Sequence, residues 1–373
     1  MHSLDKNILI GCYEVPGYGG AATAAYQLFE SFQKDGLNVS YLNIIGEQDP
    51  DYFRFAFGES YGNPKSLRNV HNCILNASVF QPQPVLTNLI HDLVPDLMIG
   101  IGFIAAHVMK HACPEQKLIF MTSGFDQVSH TILRNLAKDL ISLEKLLVSS
   151  PGRPHIHSIR EAEAFGLSDL IVVHSESVLS LSKRYFPLQS GKIYSNVIGF
   201  AEWIYGDAMN YSALSKEFCE RDIDVLFVSS SWNRPVKNYR FVRKLLPRLI
   251  DLRVHIVGST EEIMDEATYH GLVNDRKELF SLLGRAKTVV CPSLFDAAPG
   301  ILFEASALGC NIVASKNCGN WRICNEELLV EPFTVKQFLD RIRISQTHKF
   351  EDLMDLFLRS CSYEDLKETI ALV

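Results

Sequence analysis

The sequence predicts an α/β protein built as two similar halves, and three observations carry that prediction. Strand-like apolar runs alternate with helical periods along most of the chain, the pattern that builds parallel sheets. The alternation opens with an apolar run, a glycine-rich loop and a helix, and it restarts after residue 221. Residues 287–316 then read as strand, loop, helix and strand, with Asp296 in the loop and Glu304 in the expected first turn of the helix. In an open parallel sheet, ligands bind beyond the carboxyl ends of the strands. The loop that carries Asp296 is therefore placed to hold one.

A length of 373 residues fits two domains, at roughly 150 residues per domain. Hydrophobic residues make up 47% and charged residues 21%, which is ordinary for a globular protein with sizeable cores. The net charge of -7 argues against a dedicated nucleic-acid binder, which would carry a basic face. It leaves room for a nucleotide site, which needs only local positive charge. The nine cysteines form no Cys-x-x-Cys pair, and Cys12, Cys291 and Cys310 sit in or beside apolar runs. That usage reads as reduced core thiols and leads us to expect a cytoplasmic protein. Met1–Lys6 lacks the apolar run of a signal peptide. No stretch approaches the ~18 apolar residues of a membrane span.

In the first half, Ile8–Ile10 is a buried-strand signal that runs into a loop ending Gly17-Tyr18-Gly19-Gly20. Ala25, Leu28, Phe29 and Phe32 then recur at helical spacing, Gly36 stops the helix, and Val39–Ile45 is the next strand. Gly19 and Gly20 would let the backbone approach an anion at a helix N-terminus; a flexible turn is the plainer alternative. The spacing is not G-x-G-x-x-G and no acidic residue ends Val39–Ile45, which excludes a dinucleotide-dependent dehydrogenase. Residues 48–70 read as irregular. Leu97–Ile101 and Lys117–Met121 are strands, and the latter leads into Thr122-Ser123-Gly124-Phe125-Asp126 at a cleft-facing position, or into an ordinary turn. Residues 131–148 are amphipathic with Arg134, Lys138 and Lys145 interspersed. Peripheral membrane contact is one reading, but Asp139 and Glu144 dilute the charge and favour a helix packed on its own domain. His155 and His157 would be metal ligands only with partners the sequence does not reveal, so loop histidines are the favoured reading. Leu170–Val173 is a strand followed by a helix over Ser175–Tyr185, and residues 200–221 show no period and mark the domain junction.

The second half begins with a strand over Asp224–Ser229 and a basic turn carrying Arg234 and Lys237. A helix is expected over Tyr239–Leu252, a strand over Val254–Gly258 and a helix over Lys277–Gly284. Helical periods over Val335–Ile344 and residues 351–372 complete the chain.

Arg and Lys clamp phosphates, and Arg234 and Lys237 follow a strand on the same predicted edge as Asp296. Each alone has a plain reading: a solvated basic turn, a loop Asp bonded to backbone amides, a first-turn Glu favoured by the helix dipole. Their coincidence at one edge raises the functional reading.

Asp296 and Glu304 are separated by seven residues in Asp-Ala-Ala-Pro-Gly-Ile-Leu-Phe-Glu. This run resembles the acidic-x7-Glu motif of the retaining glycosyltransferases of family 4, which have the GT-B fold. Arg234–Asn238 after a strand, Gly19-Gly20 opening a helix, and Ser168–Glu176 support the resemblance. The resemblance implies two Rossmann-like domains facing across a cleft, an acceptor domain over 1–200 and a donor domain over 201–345, with the helices of 346–373 returning to the first domain. It implies a UDP- or GDP-linked sugar as donor, a sugar or lipid-linked acceptor, and no metal. Arg234 and Lys237 would meet the diphosphate, with Gly19 and Gly20 approaching it from the first domain. Glu304 would bind the ribose, Asp296 the sugar hydroxyls, Gly300, Ile301 and Leu302 the phosphates or sugar through their amides, and Leu272 and Val273 the base. Ser123, with Asp126 nearby, would stand on the acceptor side where relatives often carry His. Asp296 replaces the commoner Glu, and Arg234 precedes Lys237 by three residues rather than about five, the register occupied here by Trp232.

Overall fold

A computed structural model of the chain describes residues 6–13, 20–46, 69–75, 81–122, 124, 156–195, 199–315, 317–330, 334–351, 353–358 and 363–373. These fall into two compact units, one of residues up to 124 together with 156–200 and 363–373, the other of 201–358. Each is a parallel sheet with helices between its strands.

The sheet of the first unit is formed by β1 (Ile8–Cys12), β2 (Val39–Ile45), β3 (Val70–Ile74), β4 (Leu97–Ile101), β5 (Lys117–Met121), β6 (Leu170–Val173) and β7 (Ile193–Ser195). They lie in the order β3-β2-β1-β4-β5-β6-β7. All five residues of β1 and of β4 are buried, as expected for the centre of a sheet covered on both faces. The apolar stripe of helix Gly20–Lys34 supplies Tyr26 and Phe29, which pack on Tyr41 at centroid distances of 5.5 and 5.6 Å. Helix Phe103–Ala112 lies very close to β4: a side chain at Gly100 would stand 2.5 Å from the Ala106 Cα. Helix Tyr363–Ile370 packs in this unit too, with Tyr363 on Phe32 and Lys367 paired with Asp35 at 2.9 Å.

The second sheet comprises β8 (Ile223–Ser231), β9 (Val254–Ser259), β10 (Thr268–Tyr269), β11 (Ala286–Cys291), β12 (Asn311–Ser315) and β13 (Leu329–Val330), in the order β10-β9-β8-β11-β12-β13. From β8 the chain builds outward through β9 and β10, then returns to the other side of β8 for β11 and builds the opposite way. Connections after β8 and β11 therefore diverge, which opens a crevice at their carboxyl ends. Residues 345–350 are tied beneath the opposite edge. The Asn311 amide donates to the carbonyls of Ser345 and His348, both at 2.8 Å, and Gln346 donates to the Asp224 carbonyl at 3.1 Å.

Several elements differ from the sequence expectation for identifiable reasons. The helix expected over Tyr239–Leu252 ends at Leu245 and gives way to a 3-10 turn over Leu246–Arg248, because Pro247 has no N–H to donate and its ring clashes with the preceding turn. Residues 199–209, within the stretch that shows no period, form a helix whose apolar residues run nearly all round it. Helices Pro84–Leu93 and Phe103–Ala112 and strand β3 also escape the sequence reading. Most of 48–70, all of 131–148 and His155 lie outside the described residues. The eight cysteines among the described residues are free; seven of these are buried and Cys219 is exposed. No helix among the described residues is long and apolar enough to cross a membrane.

His174, just beyond β6, is buried, and loss of solvent pushes its imidazole down to about 3. An unfolded His titrates near ~6.5, so between these values unfolding takes up a proton. Stability is then fully present above the unfolded pKa and falls as pH drops, by about 1.4 kcal/mol per pH unit for one such group. Urea unfolding followed from pH 7 to pH 4 is expected to show this acid slope. His174→Gln should flatten it by nearly one proton, leaving the smaller contributions of His71, His107, His255 and His270, which burial shifts the same way.

Candidate active site

The crevice between β8 and β11 is built from three loops bound to one another. The loop after β8 ends in a 3-10 turn, Pro235–Lys237, capped by Asn238 in the left-handed conformation at φ 65°. The Asn238 amide donates to the Pro292 carbonyl at 3.0 Å, and the Leu294 N–H donates to the Val236 carbonyl at 2.8 Å. The loop after β11 is tied in turn to the loop after β12. The Asn317 amide donates to the Leu294 carbonyl at 2.8 Å, and the Gly319 N–H donates to the Asp296 carbonyl at 2.6 Å.

This binding brings Lys237 onto Asp296. The Lys237 Nζ donates to Asp296 Oδ2, with the two side chains only 20% and 16% exposed. Burial alone would lower the Lys237 ammonium; the Asp296 carboxylate and, behind it, Cys291 outweigh that, and the net displacement is upward. Lys237 is thus held as a cation. The Cys291 and Cys318 sulfurs lie 3.6 Å apart beneath the pair, both buried.

Helix Gly300–Ala307 starts at the end of the same loop, with Pro299 before it. Gly300 and Ile301 occupy its first turn, whose N–H groups have no partner within the helix, while the Leu302 side chain is buried. Glu304 is the helix's fifth residue and lies in the second turn, not the first as the sequence suggested. It therefore cannot cap the helix. The Arg276 guanidinium lies 3.7 Å from its carboxylate and pairs with Asp207. Burial raises the Glu304 carboxyl above the usual range, Arg276 pulls it down and Asp207 pushes it up. Arg276 opens helix Arg276–Arg285, just after the loop that carries exposed Leu272 and half-buried Val273.

The sequence-predicted residues thus fall into three groups. Lys237 and Asp296 meet directly. Glu304 joins Arg276 and Asp207, two residues that sequence reading missed because each lies on a helix with no motif around it. Arg234 stands exposed on the Lys237 loop without an ion pair to any described residue. Trp232, in the register where an arginine is commoner, is buried and donates to the Val257 carbonyl at 2.9 Å, so that position serves the core. Gly20 opens helix Gly20–Lys34 as expected. Gly19, Ser123 and Asp126 lie outside the described residues.

Two parallel α/β units with these strand orders define the GT-B fold class. Residues 222–345, most of the described second unit, match the family described as glycosyl transferases group 1. Compared by sequence with curated proteins, the chain matches none. Among solved structures it is similar to the sucrose-phosphate synthase of Thermosynechococcus elongatus, at 15% identity and a TM-score of 0.63 over 90% of this chain and 89% of that one. It is also similar to HepE of Anabaena in complex with UDP, at 14% identity and a TM-score of 0.61 over 92% and 91%. The UDP-GlcNAc 2-epimerase of Methanocaldococcus jannaschii is more distant, at 10% identity and a TM-score of 0.54 over 92% and 94%.

Asn238 can be tested as the residue that sets Lys237. Asn238→Gly keeps the left-handed backbone but loses the amide bond to Pro292, and should cost about 1–2 kcal/mol in chemical denaturation. Asn238→Ala loses the bond and also strains the backbone, adding about 1 kcal/mol or more.

Proposed function

We propose that this protein is a glycosyltransferase that moves a hexose-type sugar from a UDP- or GDP-linked donor to a glycan, lipid-linked or small-molecule acceptor, with retention at the anomeric carbon. The observation that carries the reading is the Lys237–Asp296 pair at the switch point of the unit that matches group 1 glycosyl transferases. A charged lysine there suits the donor diphosphate, and fixed cations stabilise the charge that develops on a leaving phosphate. Arg234, exposed on the same loop, would join it, and the amides of Gly300 and Ile301 would add the partial positive charge of a helix N-terminus. With those groups meeting the leaving group, the reaction would need no metal. Glu304 would accept hydrogen bonds from the ribose, Leu272 and Val273 would flank the base, and Asp296 would hold the hydroxyls of the transferred sugar. The remaining roles, Gly19 and Gly20 toward the diphosphate and Ser123 and Asp126 toward the acceptor, rest on the sequence and the resemblance, while action in the cytoplasm rests on cysteine usage and membrane contact on the amphipathic residues 131–148.

Incubation of the chain with radiolabelled UDP- and GDP-sugars and a panel of acceptors is expected to give transferred label. Lys237→Ala and Glu304→Ala should each lower kcat/KM by about a hundredfold or more, as expected when a group that stabilises transition-state charge or positions the donor is lost. Unchanged kinetics in both variants would refute the assignment. Lys237→Ala also strands the Asp296 carboxylate, so stability should fall by about 3 kcal/mol. The double variant Lys237→Gln/Asp296→Asn should recover stability but not turnover, separating the pair's structural share from its chemistry.

A second reading, an epimerase or hydrolase of the donor, is favoured by the likeness to the 2-epimerase. A labelled donor incubated without acceptor distinguishes the two, since only the second reading predicts rapid conversion. A third, non-catalytic binding of a nucleotide sugar, fails if either assay shows turnover.

A further inference from the structure

A second cluster of chemistry-bearing side chains lies in the first unit, on helices the proposed reaction does not use. His107 and His111 are four residues apart on helix Phe103–Ala112, so their side chains share one face. Glu163 comes from helix Ile156–Leu167, which packs against it. Glu163 Oε2 lies 2.7 Å from His107 Nε2, and His111 Nε2 lies 3.1 Å from the same nitrogen. The three donor atoms all fall within 4.8 Å of one another. Arg160, one turn before Glu163, completes the group: its Nη1 is 2.6 Å from Glu163 Oε2 and 3.5 Å from His107 Nε2.

A ring nitrogen has one in-plane position, filled by either a proton or a lone pair. At His107 Nε2 that one position is approached by a carboxylate, a second imidazole and a guanidinium. If the nitrogen is protonated, it donates to Glu163 and opposes the Arg160 N–H. If it is not, it accepts from Arg160 or His111 and opposes the carboxylate. No protonation state makes every approach favourable. A divalent cation at the shared point accepts lone pairs from both imidazoles and the carboxylate together.

We propose that His107, His111 and Glu163 bind a divalent transition-metal cation of the zinc class. Two neutral imidazoles and one carboxylate form a donor set suited to zinc, with water in the fourth position. Tetrahedral zinc holds such donors about 3.3 Å apart, so the present contacts open by a few tenths of an ångström as the ion enters. Entry is available because His111 is exposed, while His107 is buried and held by the close seat of its helix on Gly100. Arg160 occupies the carboxylate in the metal-free form and competes with the ion. The bound metal joins two helices far along the chain from one another and acts on stability rather than on sugar transfer.

Calorimetric titration of zinc chloride into the full chain, freed of metal by EDTA and then of EDTA, tests the site. One zinc per chain is expected, with affinity falling at least about tenfold in His111→Ala and in Glu163→Gln. Arg160→Ala should tighten binding several-fold by removing the competing guanidinium. Zinc should raise the Tm of the wild-type chain, and raise that of His111→Ala less at the same zinc concentration. Since His111 is exposed, that variant keeps the core, and circular dichroism checks it. Absence of zinc binding, zinc binding undiminished in His111→Ala, or weaker binding in Arg160→Ala would each overturn the site.

Discussion

The second unit is organised around an ammonium and a carboxylate held together where two neighbouring strands end. Two such charges, mostly withdrawn from water, are costly unless each answers the other. The loops that deliver them must therefore stay in register. The Asn238 and Asn317 amides and the backbone bonds between residues 236 and 294 and between 319 and 296 provide that register. The sheet order supplies the rest: only strands on the two sides of a reversal send their connections apart, and β8 and β11 are that pair. That places a cation near the N-terminus of helix Gly300–Ala307, the arrangement on which the donor-diphosphate reading rests.

The architecture was legible because parallel sheets advertise themselves. Buried strands such as Ile8–Cys12 and Leu97–Ile101 appear as short apolar runs, and the motif spacing from Asp296 to Glu304 reflects a real loop-to-helix transition. Periodicity failed where an element has little polar surface to contrast with its apolar residues, as in Gly199–Met209. It overran where a single residue, Pro247, ended a helix inside an otherwise continuous pattern.

The candidate site was legible in part. Lys237 and Asp296 could be placed at one edge by strand counting, but their direct pairing depends on an asparagine in a left-handed turn, which a sequence does not display. Glu304 was identified by spacing and misplaced by one turn, since the helix begins at Gly300. Arg276 and Asp207 were invisible because what makes them relevant is tertiary: they come from helices distant in sequence that converge on the Glu304 carboxylate. The histidines that drew attention in the sequence were 155 and 157, whereas the convergent ones are 107 and 111, one turn apart on a single helix.

The choice of carboxamides as loop fasteners has a consequence of its own. Asn238 and Asn317 carry no proton that comes or goes across the physiological range, so the frame that aligns the crevice is indifferent to acidity. Of the groups it presents, Lys237 is held as a cation by Asp296, and burial raises the Glu304 carboxyl above its usual range. Scaffold and chemistry are thereby decoupled: a change in the protonation of the Glu304 carboxyl leaves the joints of the crevice intact.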